Sequence, residues 1–521
     1  MNSSCTATQQ RRRRRSQSTN SLPVLLQFVI VALTLALLLS TTFGSLHTVA
    51  RARVFSMLGH KLRPMPQAMV RAQAGSNRHL NPVVIVPGTG GNQLEARLTA
   101  EYEATKPWCY SFRKEYFRLW LDVKTLFPPF TSCFADRLSL DYNPDTDAYS
   151  NIKGVETRVP YFGSTEGMEY LDPSLKFLTG YMIHIVDALK ARGYESGKSL
   201  YGAPYDFRFA PGPHASDVAL KYLKDLKNLV ESASRANDNQ PVVLMAHSMG
   251  GLWTLYFLNQ QTPEWRDRYV ARFVSVSTPW GGAVEQMMTF ASGNPEGVPF
   301  VNSLVVREEQ RRSESNLWLL PVSRVFGDRA LVVTSGRSYT AVDMEQFLID
   351  VGFPEGVAPY KSRIPHLTEI LQAPGVPVTL IYGHGVPTSE RLSYEEKGFD
   401  NHPEITEGDG DGTVNVCSLT AVVKEWEAVA GQELEVVALA NKGHMKILHD
   451  EDSVRVIVDS VLNRFKLLDQ LVLVKRSSNC IISGTCSRRS FKRIFLLSVT
   501  GRSPSSTPFR STKTTKHQKN T

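Results

Sequence analysis

The stretch "PVVLMAHSMGG", residues 241–251, constrains the fold more than any other. Val242–Ala246 is an unbroken apolar run, the signature of a strand buried on both faces. "LWTLYFLNQQ", from Leu252, has the apolar spacing of a helix. Between them sits Ser248, flanked by Ala246 and Gly250. That is the nucleophile-elbow pattern G-x-S-x-G, with alanine in the first position. The small flanks have a steric purpose, since strand and helix must approach closely around a sharp turn. The plainer alternative is a serine that merely caps the helix.

Further strands are expected at Val83–Val86, Phe273–Ser277, Val378–Tyr382 and Leu434–Leu439, with helical spacing over Tyr181–Lys190. Strands alternating with helices predict the α/β class, a mostly parallel sheet covered on both faces. In hydrolases of this architecture an acid and then a histidine follow the serine, each after a later strand. Asp411, in "EGDGDGTVNV", follows the fourth strand, and His444, in "NKGHMKILHD", follows the fifth. Asp409 is the alternative acid, assigned instead to supporting its loop. His449 is the alternative base. A calcium loop is the competing reading of "EGDGDGTVNV", but an EF-hand needs ligands at loop positions 5 and 12. Counted from Asp409 these are Thr413 and Thr420, so neither metal nor cofactor is expected. An oxyanion hole is expected from the backbone N–H of Met249 and of Thr89, the latter in "PGTGGN" after the first strand.

The formal charge is +9, but it is carried by the ends. Arg11–Arg15 lie in a leading segment without acids, and residues 470–521 hold eleven Lys/Arg and no acid. The body between is net acidic and presents no basic stripe, which excludes nucleic acid as a partner. Leu22–Leu39 is an eighteen-residue uncharged apolar run behind the arginines. It predicts a signal anchor with the remainder outside the cytoplasm; cleavage and secretion is the alternative. Residues 40–80 are expected as a linker, 81–465 as the catalytic domain and 470–521 as a disordered basic tail. An oxidising lumen would let Cys109 and Cys133 pair. They bracket "YSFRKEYFRLWLDVKTLFPPFTS", rich in Trp120, Leu121, Leu126, Phe127 and Phe130. Composition leaves open whether these are core residues or an apolar platform for lipid.

"VVIVPGTGGNQLEARL", "FRLWLDV", "GAPYDFRFAP", "VVLMAHSMGG", "STPWGGA", "VREEQRRSESNLWLLP", "YGHGVPT" and "GDGDGTV" occur in this order from about residue 82. Together they make the chain resemble the lecithin:cholesterol acyltransferase family, including its lysosomal phospholipase branch. The resemblance implies an α/β-hydrolase core with a cap, a disulfide-closed 109–133 loop that meets a phospholipid membrane surface, and a lid within about 283–320. It implies the same three catalytic positions, Ser248, Asp411 and His444. The implied activity moves a fatty acyl group from a phospholipid through an acyl-serine to an alcohol such as a sterol. A phospholipase A that uses water and a non-catalytic lipid-binding protein are the alternatives. Thr89 departs from the acid usual in the lysosomal branch, and Cys417 is expected to stay outside any disulfide.

Overall fold

A computed structural model describes residues 80–109, 115–295, 301–369, 371–396, 398–463 and 495–497. The apolar runs form a seven-stranded sheet in which every neighbouring pair is parallel. Its strands are β1 (Val83–Val86), β2 (Leu200–Gly202), β3 (Val242–His247), β4 (Val270–Val276), β5 (Val378–His384), β6 (Leu434–Ala440) and β7 (Phe495–Leu497). Their spatial order is β7-β6-β5-β4-β3-β1-β2. β1 and β3 are wholly buried, as their unbroken apolar runs require. Successive residues point to opposite faces. Val84, Val86, Leu244 and Ala246 join one core, while Val83, Ile85, Val243 and Met245 join the other.

Helices cover both faces. α1 (Ile183–Lys190) and α6 (Glu451–Val461) pack on one side through Ile185, Leu189, Ile457 and Val458. α2 (Asp217–Ala236) and α3 (Met249–Asn259) pack on the other through Leu226, Val230, Leu252 and Trp253. The chain leaves β1 towards β2 at one edge and returns to place β3 on β1's other side. Such a reversal opens a crevice at the carboxyl ends of the strands, and both the "PGTGG" loop and Ser248 lie there. This is the α/β-hydrolase arrangement expected above.

The five anticipated strands are present, four of them longer by one or two residues. β2 has only three residues, too few for a periodic signal. Within the basic tail, Phe495–Leu497 pairs parallel with β6. The rest of that tail, the Leu22–Leu39 run, the 40–80 linker up to residue 79 and residues 110–114 lie outside the described residues. Among the described residues no helix is long and apolar enough to cross a membrane.

An excursion between β1 and α1 carries a three-stranded antiparallel sheet and the Cys109–Cys133 disulfide. A buried guanidinium fastens it to the core. Arg208, within "GAPYDFRFAP", is 0 % exposed and pairs with Asp206 at 2.6 Å. It also donates to the Leu138 carbonyl at 3.1 Å, Asn151 Oδ1 at 2.7 Å and Thr157 Oγ1 at 3.0 Å. Removing one partner of a buried pair strands the other charge. Asp206→Ala is therefore expected to lower unfolding free energy by roughly 3–5 kcal/mol in a denaturant titration. Replacing the pair together by leucine and methionine should cost less than that single change.

Candidate active site

β3 ends at His247 and α3 begins at Met249, so Ser248 alone makes the turn. Its backbone has φ 55° and ψ −132°, a region that costs a non-glycine residue about 1–3 kcal/mol. The surroundings hold it there. Its N–H donates to the Val276 carbonyl of β4 at 2.9 Å. A Cβ at Gly250 would lie 2.2 Å from the Pro87 carbonyl oxygen, and one at Gly251 1.9 Å from Thr278 Oγ1. Only glycine lets helix and strands close on the serine.

His444 reaches Ser248 from the loop after β6. Its Nε2 is 2.9 Å from Ser248 Oγ and its Nδ1 is 2.7 Å from Asp411 Oδ2. Asp411 is 1 % exposed, and its other oxygen accepts the N–H groups of Val414 at 2.8 Å and Thr413 at 3.2 Å. The backbones of the two loops join as well, His444 N–H to the Asp411 carbonyl at 2.7 Å. Burial works against charge on both groups, but the pairing outweighs it. The Asp411 pKa falls below the usual carboxylate value through the His444 charge, its hydrogen bond and the two amides. The His444 pKa rises above the ordinary imidazole value, because the Asp411 charge and hydrogen bond, with Glu285 beyond, overcome burial.

Asp409 is still within the strand Glu404–Gly410 and accepts the Gly385 N–H at 2.6 Å, so it braces a neighbouring turn. His449 hydrogen-bonds the Tyr181 carbonyl at 3.1 Å through Nε2, away from the serine. Among the described residues no cluster of His, Cys, Asp or Glu has the makings of a metal site. Met249 opens α3, where the first N–H groups lack an intrahelical acceptor and the helix dipole is positive. Thr89 Oγ1 donates to Met249 Sδ at 3.1 Å, which sets the two expected oxyanion residues side by side.

A cavity of about 210 Å³ begins at Thr89 and Gly90. Trp120, Leu121, Leu126, Phe134 and Phe207 form its apolar wall, and Glu309, Gln310, Ser313 and Asn316 its polar one. The apolar residues named in the disulfide loop divide between this cavity and the surface. Leu126 is buried at 6 % exposure, and Leu121 packs against the core. Trp120 donates its indole N–H to the Gly90 carbonyl at 2.7 Å and stacks near Phe134 and Phe207. Phe127 is half-buried, while Phe130 stands 53 % exposed beside Trp108 at 55 %. Trp108, one residue before Cys109, is held by its indole N–H on the Pro129 carbonyl. Bracketing by the cysteines left it out of the sequence reading.

The anticipated lid is likewise divided. α4 (Val284–Ser292) and Glu314–Trp318 are built into the core through Met287, Phe290, Leu317 and Trp318. Residues Asn294, Pro295, Val301 and Val306 wall the cavity, the last on α5 (Ser303–Arg312). Cys417 accepts a hydrogen bond from Arg329 at 3.5 Å.

The model of the lecithin:cholesterol acyltransferase family matches residues 116–353 and 355–456. A lecithin-cholesterol acyltransferase-like 1 protein of Arabidopsis thaliana is 50% identical over 399 residues, 74% of this chain and 90% of that protein. A lysosomal phospholipase A and acyltransferase of Bos taurus is 38% identical over 368 residues, covering 70% and 88%. A phosphatidylcholine-sterol acyltransferase of Mus musculus is 34% identical over 397 residues, covering 76% and 88%. With the family model covering β2 to β6 and the loops that join Ser248, Asp411 and His444, and with relatives this similar over most of their length, the chain belongs to the lecithin:cholesterol acyltransferase family.

Proposed function

We propose that this protein is a phospholipid-dependent O-acyltransferase with phospholipase A activity, acting through an acyl-Ser248 intermediate. The observation that carries the reading is the unbroken line from Ser248 Oγ through the His444 ring to Asp411. His444 Nε2 takes the proton as Ser248 Oγ attacks the fatty ester carbonyl of a phospholipid. The Thr89 and Met249 N–H groups face the oxyanion that forms. Asp411 holds the imidazole with Nδ1–H towards itself and balances the imidazolium. Collapse expels the lysophospholipid, whose oxygen takes the proton from His444. An alcohol then gives up its proton to His444 and attacks the acyl-serine; the Oγ–acyl bond breaks, Ser248 Oγ takes the proton back from His444, and the new ester leaves. Water in the same place gives a free fatty acid. The apolar wall of the cavity suits the fatty chain, and exclusion of water there favours the alcohol. The relatives' printed names include both acyl transfer to a sterol and phospholipase A activity, and the sterol is the acceptor assigned here.

The substrate lies in a membrane, and exposed Phe130 and Trp108 are the side chains assigned to its surface. The Cys109–Cys133 disulfide suits an oxidising compartment, which agrees with a lumenal domain held by Leu22–Leu39 or released after cleavage.

Radiolabelled phosphatidylcholine with and without sterol should yield labelled ester only with sterol; label in free acid alone would defeat the transferase assignment. A fluorophosphonate probe should label the wild type and not Ser248→Ala. Equal labelling of both would point to a lipid-binding protein instead.

The base works only when neutral, so the raised His444 pKa sets the acid limb of kcat/KM. That limb should lie above the ordinary imidazole value of 6.5, with activity rising as pH increases through it. Asp411→Asn should move the limb down and cut kcat by about 10⁴-fold. A maximum well below neutrality would contradict this electrostatic picture. Chelation of divalent cations should leave the rate unchanged.

A further inference from the structure

His247, the residue before the nucleophile, takes no part in the chemistry above, yet it is 1 % exposed and fully hydrogen-bonded. Its Nε2 lies 3.0 Å from the His444 carbonyl oxygen and its Nδ1 lies 2.7 Å from Tyr181 Oη. Tyr181 Oη in turn accepts the Gly88 N–H at 2.9 Å. One arrangement of protons satisfies all three bonds. A carbonyl only accepts, so Nε2 carries the hydrogen. The neutral ring then offers Nδ1 as acceptor, and Tyr181 must donate to it.

The ring stays neutral. Burial first, and then the neighbouring His444, push the His247 pKa down to about 3. Burial also pushes the Tyr181 phenol up, although the Gly88 N–H opposes it, so the phenol keeps its proton. Tyr181 has a second hold on the same region, because its own carbonyl accepts from His449 Nε2. The consequence is a mechanical link. Gly88 belongs to the loop that carries Thr89, and the His444 backbone carries the general base. The link also assigns a donor: with the Gly88 N–H committed to Tyr181, the oxyanion contribution of that loop falls to Thr89.

We propose that Tyr181 and His247 are positioning residues that fix the oxyanion loop and the backbone of His444 in one frame, through Gly88 N–H to Tyr181 Oη, Tyr181 O–H to His247 Nδ1 and His247 Nε2–H to the His444 carbonyl. This rests on the acyl-transfer reading given above.

Two amide replacements separate this role from packing. In His247→Asn the side-chain amide overlays Nδ1, which keeps a partner for Tyr181 and loses the reach to His444. In His247→Gln the terminal N–H overlays Nε2 and restores the bond to the His444 carbonyl. Displacing a catalytic group by about 1 Å can cost about 10²-fold. His247→Asn and Tyr181→Phe are expected to lower kcat on phosphatidylcholine vesicles by about that factor, with KM little changed. His247→Gln, which restores the His444 bond but gives up the acceptor for Tyr181, should recover part of the loss. Thermal unfolding and the final extent of fluorophosphonate labelling of Ser248 report whether each variant is folded.

Wild-type kcat in His247→Asn, equal losses in Asn and Gln, or a loss confined to KM would overturn the proposal. If His247→Asn does not fold, Tyr181→Phe beside His247→Gln decides, because a full-rate Tyr181→Phe would also overturn it. Ser248→Ala keeps the two readings apart. Turnover persisting in Ser248→Ala would remove the acyl-serine mechanism itself, whereas its loss beside an unaffected His247→Asn would remove only the positioning role.

Discussion

The left-handed backbone at Ser248 is the constraint on which the site depends. A strained residue persists only where its surroundings over-determine it. Here a hydrogen bond from β4, the absence of side chains at Gly250 and Gly251, and fully buried parallel strands leave the chain no relaxed alternative. The return is positional. The hydroxyl is presented at the carboxyl edge of the sheet, next to a helix N-terminus whose first N–H groups lack an intrahelical acceptor. His444 and Asp411 then need only arrive from loops after later strands, and the parallel sheet delivers both loops to that edge.

The hydrogen bonds around the histidine are graded by burial. Asp411 is held by two backbone amides before it meets His444, so its carboxylate has little freedom to turn. A charge so desolvated interacts strongly with its neighbour, which is why the pairing prevails over burial in both partners. His247 lies next to the same imidazole, with ring centroids 4.9 Å apart, and is driven the other way by burial first and then by His444, which the more distant Asp411 charge does not overcome. Two adjacent buried histidines therefore differ in protonation behaviour because only His444 has a carboxylate in direct hydrogen-bond contact to offset its burial.

The disulfide-closed excursion does more than present apolar side chains outward. Trp120 and Leu126 face inward and wall the cavity at the oxyanion loop, while Phe130 and Trp108 remain at the surface. The same short segment thus contacts both the cavity beside Thr89 and the solvent. Arg208 anchors this excursion to the core by five hydrogen bonds from its three guanidinium nitrogens, to Asp206, Leu138, Asn151 and Thr157. Fixing the excursion fixes the cavity wall, so stability of the excursion and shape of the cavity are the same physical question.

Much of the architecture was legible in the chain because strands buried on both faces must be continuously apolar. The runs at 83–86, 242–246, 378–382 and 434–439 could be read without coordinates, as could the serine turn, which needs small neighbours. Asp411 and His444 followed from their order after those strands. The rest depended on contacts between distant segments. Asp409 and Asp411 share a strand parity, and only the end of the ladder at Gly410 turns the second carboxylate towards His444. Trp120 and Leu126 are indistinguishable by composition from Phe130, yet the close approach of Gly90, Phe134 and Phe207 draws them inside. His247 carried no signal because its partners, Tyr181 and His444, lie 66 and 197 residues away. Sequence by itself determined which residues had to be buried and in what order the reactive groups arrive. Tertiary structure alone decided which of several equivalent side chains meets which, because that choice is made by packing across the sheet's edge and leaves no local pattern in the chain.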